Sequence, residues 1–423
     1  MRRFIPSLVL AGVFAAMAWL WAVHNEVYEA VVMATGWAHN PAPFDDLHAV
    51  LLAGQCWGQG VDVYRANACM GGGNYNYSPL LLHVLRWLPG PAYTMPGGLW
   101  LDGLFIAATA LLPAAETRAE LWFRAACLCS SVTLHLLEPA NLDTLLFAAV
   151  VAGLWLLARR NAAGWGGYAL FLAAAALKYY PVILLALAAR ERLARLMGLA
   201  GAAVLLGGMF LWRFGHGTAV SLSILPYGLP FTNMFGAVNV PYAFGVVLLY
   251  FASPHGAGAA GAGQVTAAAQ TTIGQIVALG SWGLIGAGWL IGAQCAGRYR
   301  VKLPGLTEFE QLCLVGGALV ICFCFYATQN IDYRACFLLL TLPGLWRMGE
   351  RWLLGAILFL LWDGLERHFA GFGGFYAAAA FWCFREFVWW FVVVRLTGLV
   401  FAFATEMLAR RAAEWRGWRL AAP

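Results

Sequence analysis

Charge is what this sequence has least of. Asp, Glu, Lys and Arg make up 11% of its 423 residues, against about 25% in an ordinary soluble domain. A chain so poor in charge cannot cover a water-facing surface, which excludes a soluble class. Lysine is nearly missing, with Lys178 and Lys302 the only two. No basic patch interleaves with aromatics, so no nucleic-acid partner is indicated. The cysteines show no zinc-type spacing. Cys127/Cys129 and Cys322/Cys324 lie inside apolar runs and read as small core residues. No long-period repeat and no separable domain is evident, so residues 1–423 read as one membrane-embedded unit.

Apolar runs fill the space that charge leaves. Stretches of about 17–25 apolar residues recur, the length needed to cross hydrocarbon. Twenty Trp and fifteen Tyr suit interfacial aromatic belts. The fold class that follows is all-α, a polytopic helix bundle in the lipid bilayer. About twelve spans are expected, at 4–23, 94–113, 120–137, 141–158, 164–177, 181–190, 197–213, 272–295, 310–327, 335–346, 352–365 and 387–408. The first run follows Met1-Arg2-Arg3 and is read as an uncleaved span, because no clear small-x-small cleavage site follows it.

Arginine placement gives orientation. Arg2, Arg3, Arg118, Arg159, Arg160, Arg190, Arg192, Arg195, Arg298, Arg300, Lys302, Arg347, Arg351 and the group Arg410 to Arg419 hold seventeen of the 26 basic residues. The span map puts all of them on one side, which the positive-inside bias makes the cytoplasm. Both termini are then cytoplasmic. The long loops 24–93 and 214–270, and the turns at 138–142, 178–181 and 328–334, lie outside. The second loop contains an apolar stretch near 238–252 and a Gly/Ala-rich linker at 254–264. The first contains an apolar segment, 79–89, too short to span and read as an interfacial helix. Cys56 and Cys69 sit in that first loop, where an oxidising compartment would let them pair.

The outer side collects the polar residues. Asp45 and Asp46 stand just outside the membrane, followed by His48, by Asp62 and Tyr64, and by Asn76 and Tyr77. Adjacent carboxylates point in different directions on a helix. They cannot flank one glycosidic bond as a hydrolase pair does, about 5 Å or more apart. One alone can serve as a general base, since a low-dielectric surface raises a carboxyl pKa. Capping of the helix that follows is the other reading. Asn141 and Asp143 open the span at 141–158, as a helix start or as pocket residues. Lys178 lies between two short apolar segments, beside Tyr179. It either snorkels or meets a phosphate as a point charge. Asp332, Tyr333 and Arg334 follow Asn330, and Arg334 either forks onto a phosphate or pairs with Asp332. Asp102 is an intramembrane carboxylate, and Asp363, Glu366, Arg367 and His368 close a span as local ion pairs. The four outer clusters together describe an outward-facing polar cavity suited to a phosphate-bearing substrate and a proton acceptor.

These residues resemble a known family. An outer loop with Asp46, then Gly60-Val61-Asp62-Val63-Tyr64 and Asn76-Tyr77-Ser78-Pro79-Leu80, is similar to the GT-C superfamily of membrane glycosyltransferases. Asn141-Leu142-Asp143, Leu177-Lys178-Tyr179-Tyr180-Pro181 and Asp332-Tyr333-Arg334 resemble its bacterial polyprenyl-phosphate-mannose-dependent α-1,2-mannosyltransferase branch. The resemblance covers most of 40–190 and the remainder by layout only. It implies a sugar donor on an isoprenoid monophosphate, a glycan or glycolipid acceptor, and a site on the periplasmic side of a bacterial plasma membrane. Asp46 would be the base, with Asp45 the fallback, and Lys178 and Arg334 would steady the leaving phosphate. His48, Tyr64, Asn76, Tyr77, Asn141, Asp143, Tyr179, Asp332 and Tyr333 would line the pocket. No cofactor is implied as required. A divalent metal, used by other members of the superfamily, stays open, with Asp45, Asp46 and His48 the nearest to a ligand set. A transporter or flippase of a lipid-linked or small polar substrate is the rival from another class. It would show inverted repeats and midplane polar residues, whereas here no repeat is evident and the polar residues gather at the outer interface. A lipid-linked glycan ligase would rest on Arg and His in a large outer loop, and the second loop offers only His216 and His255.

Overall fold

The structure is a computed structural model, and it describes residues 4–35, 42–159, 163–224, 234–252, 267–362, 364 and 366–421. Nearly all of this is helical. In chain order the α-helices are α1 Ile5–Val23, α2 Asn25–Thr35, α3 Asp45–Gly58, α4 Pro79–Leu85, α5 Thr94–Leu111, α6 Arg118–Leu128, α7 Ser131–Leu137, α8 Asp143–Ala158 and α9 Ala163–Leu177. They continue with α10 Leu193–Ser223, α11 Asn239–Ala252, α12 Ala267–Lys302, α13 Glu308–Ala327, α14 Leu342–Arg347, α15 Arg351–Leu361 and α16 Glu366–Ala421. Two short strands, β1 Met234–Phe235 and β2 Asn330–Ile331, pair antiparallel.

Among the described residues, five helical stretches are long and apolar enough to cross a membrane: Ile5–Val23, Leu193–Ser223, Gly274–Gly305, Glu308–Ala327 and Tyr376–Glu414. Other apolar helices, α8, α9 and α15 among them, are shorter. The expected boundaries change for local reasons. The run at 120–137 is two helices, because the Ser130 hydroxyl accepts the Thr133 N–H and starts α7 afresh. The runs at 181–190 and 335–346 are not single α-helices. Tyr180–Arg190 and Asp332–Leu340 are 3₁₀ segments, and α14 follows the second. The interfacial segment ends at Leu85 rather than 89, opened by Ser78 as cap and Pro79 in the first turn. α10 runs on to Ser223, so the second loop starts later than 214, and residues 239–252 within it are helical. The linker at 254–264, with His255, lies outside the described residues, as do Arg2, Arg3, Arg160 and Asp363. The side chains of Glu366, Arg367 and His368 are likewise outside them.

The main core joins α5, α8, α13, α15 and α16 with the two 3₁₀ segments, through Phe105, Phe147, Leu184, Phe337 and Trp389. Gly153, on α8, has the Phe171 ring of α9 where a Cβ would stand, which draws those two helices together. The first outer loop has a small core of its own, with Leu51, Val63, Tyr75 and Leu82 buried together. Cys56 and Cys69 are disulfide-bonded across it, with Cα atoms 6.1 Å apart.

α8, α9 and α13 are aligned so that their ends sort by chemistry. At one end lie Asp143, Lys178 and Asn330. At the other, Arg190 pairs with Glu308, Arg195 with Glu191, and Arg347 with Glu116, Glu120 and Glu310. The sixteen residues of α8 separate these ends by about 24 Å at 1.5 Å per residue.

Candidate functional site

Four segments far apart in sequence meet at the first of these ends. The start of α3 supplies Asp46, and the turn before α8 supplies Asn141 and Asp143. The end of α9 supplies Lys178, with Tyr180 following. The segment after β2 supplies Arg334. Asn141 lies at the centre and is fully buried. Its amide nitrogen donates to Asp46 Oδ2 at 2.6 Å. Its amide oxygen accepts from Lys178 Nζ at 3.1 Å and from the Asp143 backbone N–H at 3.0 Å. The amide can point only this way, because a flipped nitrogen would face the ammonium.

Asp143 is buried and receives three donors. Lys178 Nζ lies 2.7 Å from Oδ1, the Tyr180 hydroxyl 3.0 Å from Oδ1, and Arg334 Nε 3.3 Å from Oδ2. Arg334 also donates to Asn330 Oδ1 and lies over the Tyr180 ring. Lys178 stands 5.0 Å from the Tyr77 ring centre and 5.7 Å from that of Tyr333, within cation–π range. Two cations thus share one buried carboxylate beside Asp46.

The backbone around Asp46 is unusual. Phe44 and Ala140 are the only non-glycine residues with positive φ among the described residues, at 62° and 48°. They lie two residues before Asp46 and one before Asn141. Such conformations cost about 1–3 kcal/mol each and persist where the surroundings impose them. Here the Phe44 N–H donates to the Glu138 carbonyl at 2.8 Å and the Leu47 N–H to the Pro139 carbonyl at 3.2 Å. The start of α3 is thereby fastened to the turn that carries Asn141. A Cβ on Gly98 of α5 would collide with the Phe44 ring, so only glycine leaves that ring its seat.

Burial raises the Asp46 carboxyl above its usual range, against the Asn141 hydrogen bond and the Lys178 charge, which both lower it. Burial likewise raises the Tyr77 phenol, so it stays a neutral donor.

These contacts decide between the readings left open above. Neither Asp45 nor Asp46 caps α3: the N-cap position is Phe44, and it makes no side-chain capping bond. Lys178 does not snorkel. Its side chain is 12% exposed and turns inward to Asp143. Asp332 and Arg334 turn to different partners. Asp332 meets His135 Nδ1 at 2.9 Å, while Arg334 turns to Asp143. Tyr333 is buried, edge-on to His135.

The remaining expected residues lie further out. Asp45 is exposed at the start of α3. His48 faces α5, with Nδ1 3.2 Å from the Thr94 hydroxyl. Tyr64 packs edge-on against Tyr75 in the loop core. Asn76 is half-buried in the same turn as Tyr77. The Tyr179 hydroxyl reaches Ser221 of α10 at 2.9 Å. No group of three or more His, Cys, Asp or Glu side chains among the described residues is disposed to hold a metal ion.

His135, Tyr180 and Asn330 also belong to the site, the last two from the stretches around Lys178 and Arg334 already named. A histidine inside the apolar stretch 131–137 was the available signal for the first.

Next to the site is an apolar cavity of about 280 Å³. Phe14, Trp21, Tyr28, Phe44, Leu99 and Leu134 line it, and Phe44 sets it beside Asp46. Compared with protein-family models, curated proteins and solved structures, the chain shows no significant match.

Proposed function

We propose that this chain is a membrane glycosyltransferase that moves a sugar from a polyprenyl-phosphate donor to a hydroxyl of a glycan or lipid acceptor. It works at the outer face of a bacterial plasma membrane, with the arginine-rich helix ends in the cytoplasm. The shorter apolar helices complete the crossing between the long ones, in a GT-C-like bundle of about twelve spans. The observation that carries the reading is Asn141, which joins the Asp46 carboxyl to Lys178, with Arg334 beside it on the shared Asp143.

In the reaction, Asp46 takes the proton of the acceptor hydroxyl as its oxygen attacks the anomeric carbon. The bond from that carbon to the phosphate oxygen breaks, and its electron pair leaves with the lipid phosphate. Lys178 and Arg334 stand where that charge develops, held in place beforehand by Asp143. Asn141 keeps Asp46 aimed and separates it from Lys178, which would otherwise pair with it and weaken it as a base. The apolar cavity behind Phe44 offers room for part of an isoprenoid chain, and its apolar lining suits a ligand that is mostly hydrocarbon.

Purified protein should transfer sugar from at least one of a panel of synthetic polyprenyl-phosphate hexoses and pentoses, releasing one polyprenyl phosphate per sugar moved. Nucleotide sugars should not substitute. A chelator added to the same assay reports any metal requirement. No turnover across the panel, with turnover from a nucleotide sugar, would overturn the reading.

A further inference from the structure

The opposite helix end holds a second charged cluster, built differently from its neighbours. Glu350, in the turn between α14 and α15, is buried with its side chain 4% exposed. Arg298 and Lys302 of α12 reach it at 2.8 and 2.7 Å, and Arg395 of α16 at 2.9 Å. The Arg395 Nε also donates to the Tyr299 hydroxyl at 2.7 Å, and Lys302 to the Met348 carbonyl at 2.9 Å. Three cations therefore converge on one carboxylate. In the neighbouring clusters the acids keep pace: Arg190 and Arg195 face Glu191 and Glu308, while Arg124 and Arg347 face Glu116, Glu120 and Glu310.

Such an excess is unfavourable alone. Arg298 and Lys302 are one turn apart on α12, where like charges repel. Glu350 and Arg395 are largely buried, so around them the repulsion is less screened than on an open surface. An added anion would relieve it. Arg298 is half-exposed and Lys302 a third exposed, so both can reach such an anion from outside while Glu350 holds them from within. Beside them, Val301 is 82% and Trp352 89% exposed, apolar surface that suits hydrocarbon and headgroup rather than water. Free phosphate would gain nothing from that surface, whereas a lipid would.

We infer that Arg298 and Lys302, backed by the charge of Arg395, bind the phosphate of an anionic phospholipid in the leaflet opposite the candidate site. A phosphodiester carries one negative charge and offers paired oxygens to an Arg fork. Its acyl chains would run along Val301 and Trp352. The lipid would lock α12 to α16 and to the α14–α15 turn. This site is independent of the chemistry proposed at the other end.

Native mass spectrometry of the full chain, offered equal amounts of dioleoyl phosphatidylglycerol and dioleoyl phosphatidylcholine, tests it. Preferential retention of phosphatidylglycerol is expected. Lys302→Gln should weaken it about fivefold, and adding Arg298→Gln should weaken it by about as much again. Lys302→Arg should retain it. Arg300→Gln, an exposed neighbour outside the cluster, should leave it unchanged, and thermal unfolding of each variant checks the fold. Millimolar inorganic phosphate should not displace the lipid. Equal retention of the two lipids, loss on Arg300→Gln as large as on Lys302→Gln, or displacement by inorganic phosphate would each overturn the inference. The Asp46→Asn variant should retain phosphatidylglycerol, which keeps this result separate from the fate of the transferase reading.

Discussion

Asn141 is the residue on which the site turns. An amide has a donor side and an acceptor side, and here each is used by a different charge. Asp46 takes the donor side and Lys178 the acceptor side. This sets a pH dependence. A general base works only when deprotonated, so kcat/KM should rise with pH as Asp46 loses its proton and then level off. Burial raises that transition and the Asn141 hydrogen bond lowers it. Asn141→Leu removes that bond while its similar volume still separates Asp46 from Lys178, so it should move the acidic limb of the profile to higher pH, beyond any fall in the plateau. A pH–rate profile of both proteins checks this, and an unmoved limb would detach Asn141 from the base. The charged members of the site were legible in sequence, because an ionisable group at the edge of an apolar run stands out. Their pairings were not. His135 meets Asp332 across 197 positions, and Arg334 meets Asp143 across 191. Local spacing carries no information about contacts of that range, and it suggested the adjacent pair Asp332 and Arg334 instead.

At the scale of elements, the start of α3 is held by backbone rather than by capping. Phe44 adopts a left-handed conformation, and its N–H and that of Leu47 reach the turn before α8. Its ring occupies the space that Gly98 leaves. Gly98→Ala should push the ring aside and move Asp46 from Asn141. The expected cost is about 1–3 kcal/mol in stability, as for other overpacked cores, and a loss of activity larger than stability explains. Parallel thermal unfolding and transfer assays separate the two, and wild-type activity would show that Phe44 does not position Asp46. The apolar runs located most of the helices, though not α2, which falls in the stretch 24–93 read as loop, and they did not give the kind of helix. The 3₁₀ segments Tyr180–Arg190 and Asp332–Leu340 are long for that conformation. Each begins at the site, and hydrophobic periodicity read both simply as spans. The break at Ser130 was likewise hidden, since a serine cap inside an apolar run looks like any small residue.

At the scale of the molecule, the two ends of the bundle divide the work. One end gathers Asp46, Asn141, Lys178 and Arg334, and the other gathers the arginine–glutamate clusters that tie helix ends together. The proposed orientation puts the first outside and the second inside. In a Cys383→Ser background, which removes the exposed free thiol, Asn74→Cys in the first loop should react with an impermeant maleimide on intact cells. Arg300→Cys should react only after permeabilisation. The reverse pattern would put the arginine-rich end outside and contradict the orientation. Composition made the membrane class plain and the arginine asymmetry suggested its sense, whereas the number of crossings depends on how short helices stack, which only packing decides.

The central claim is that Asp46, and not its neighbour, is the base for transfer from a polyprenyl-phosphate sugar. Asp46 contacts Asn141 inside the site, while Asp45 is exposed beside it. The decisive measurement is single-turnover transfer by purified Asp46→Asn and Asp45→Asn proteins at saturating donor. Asp46→Asn should lose about 10²–10⁴-fold in rate while still binding donor, and Asp45→Asn should stay near wild type. Full activity in Asp46→Asn, or an equal loss in both, would contradict it.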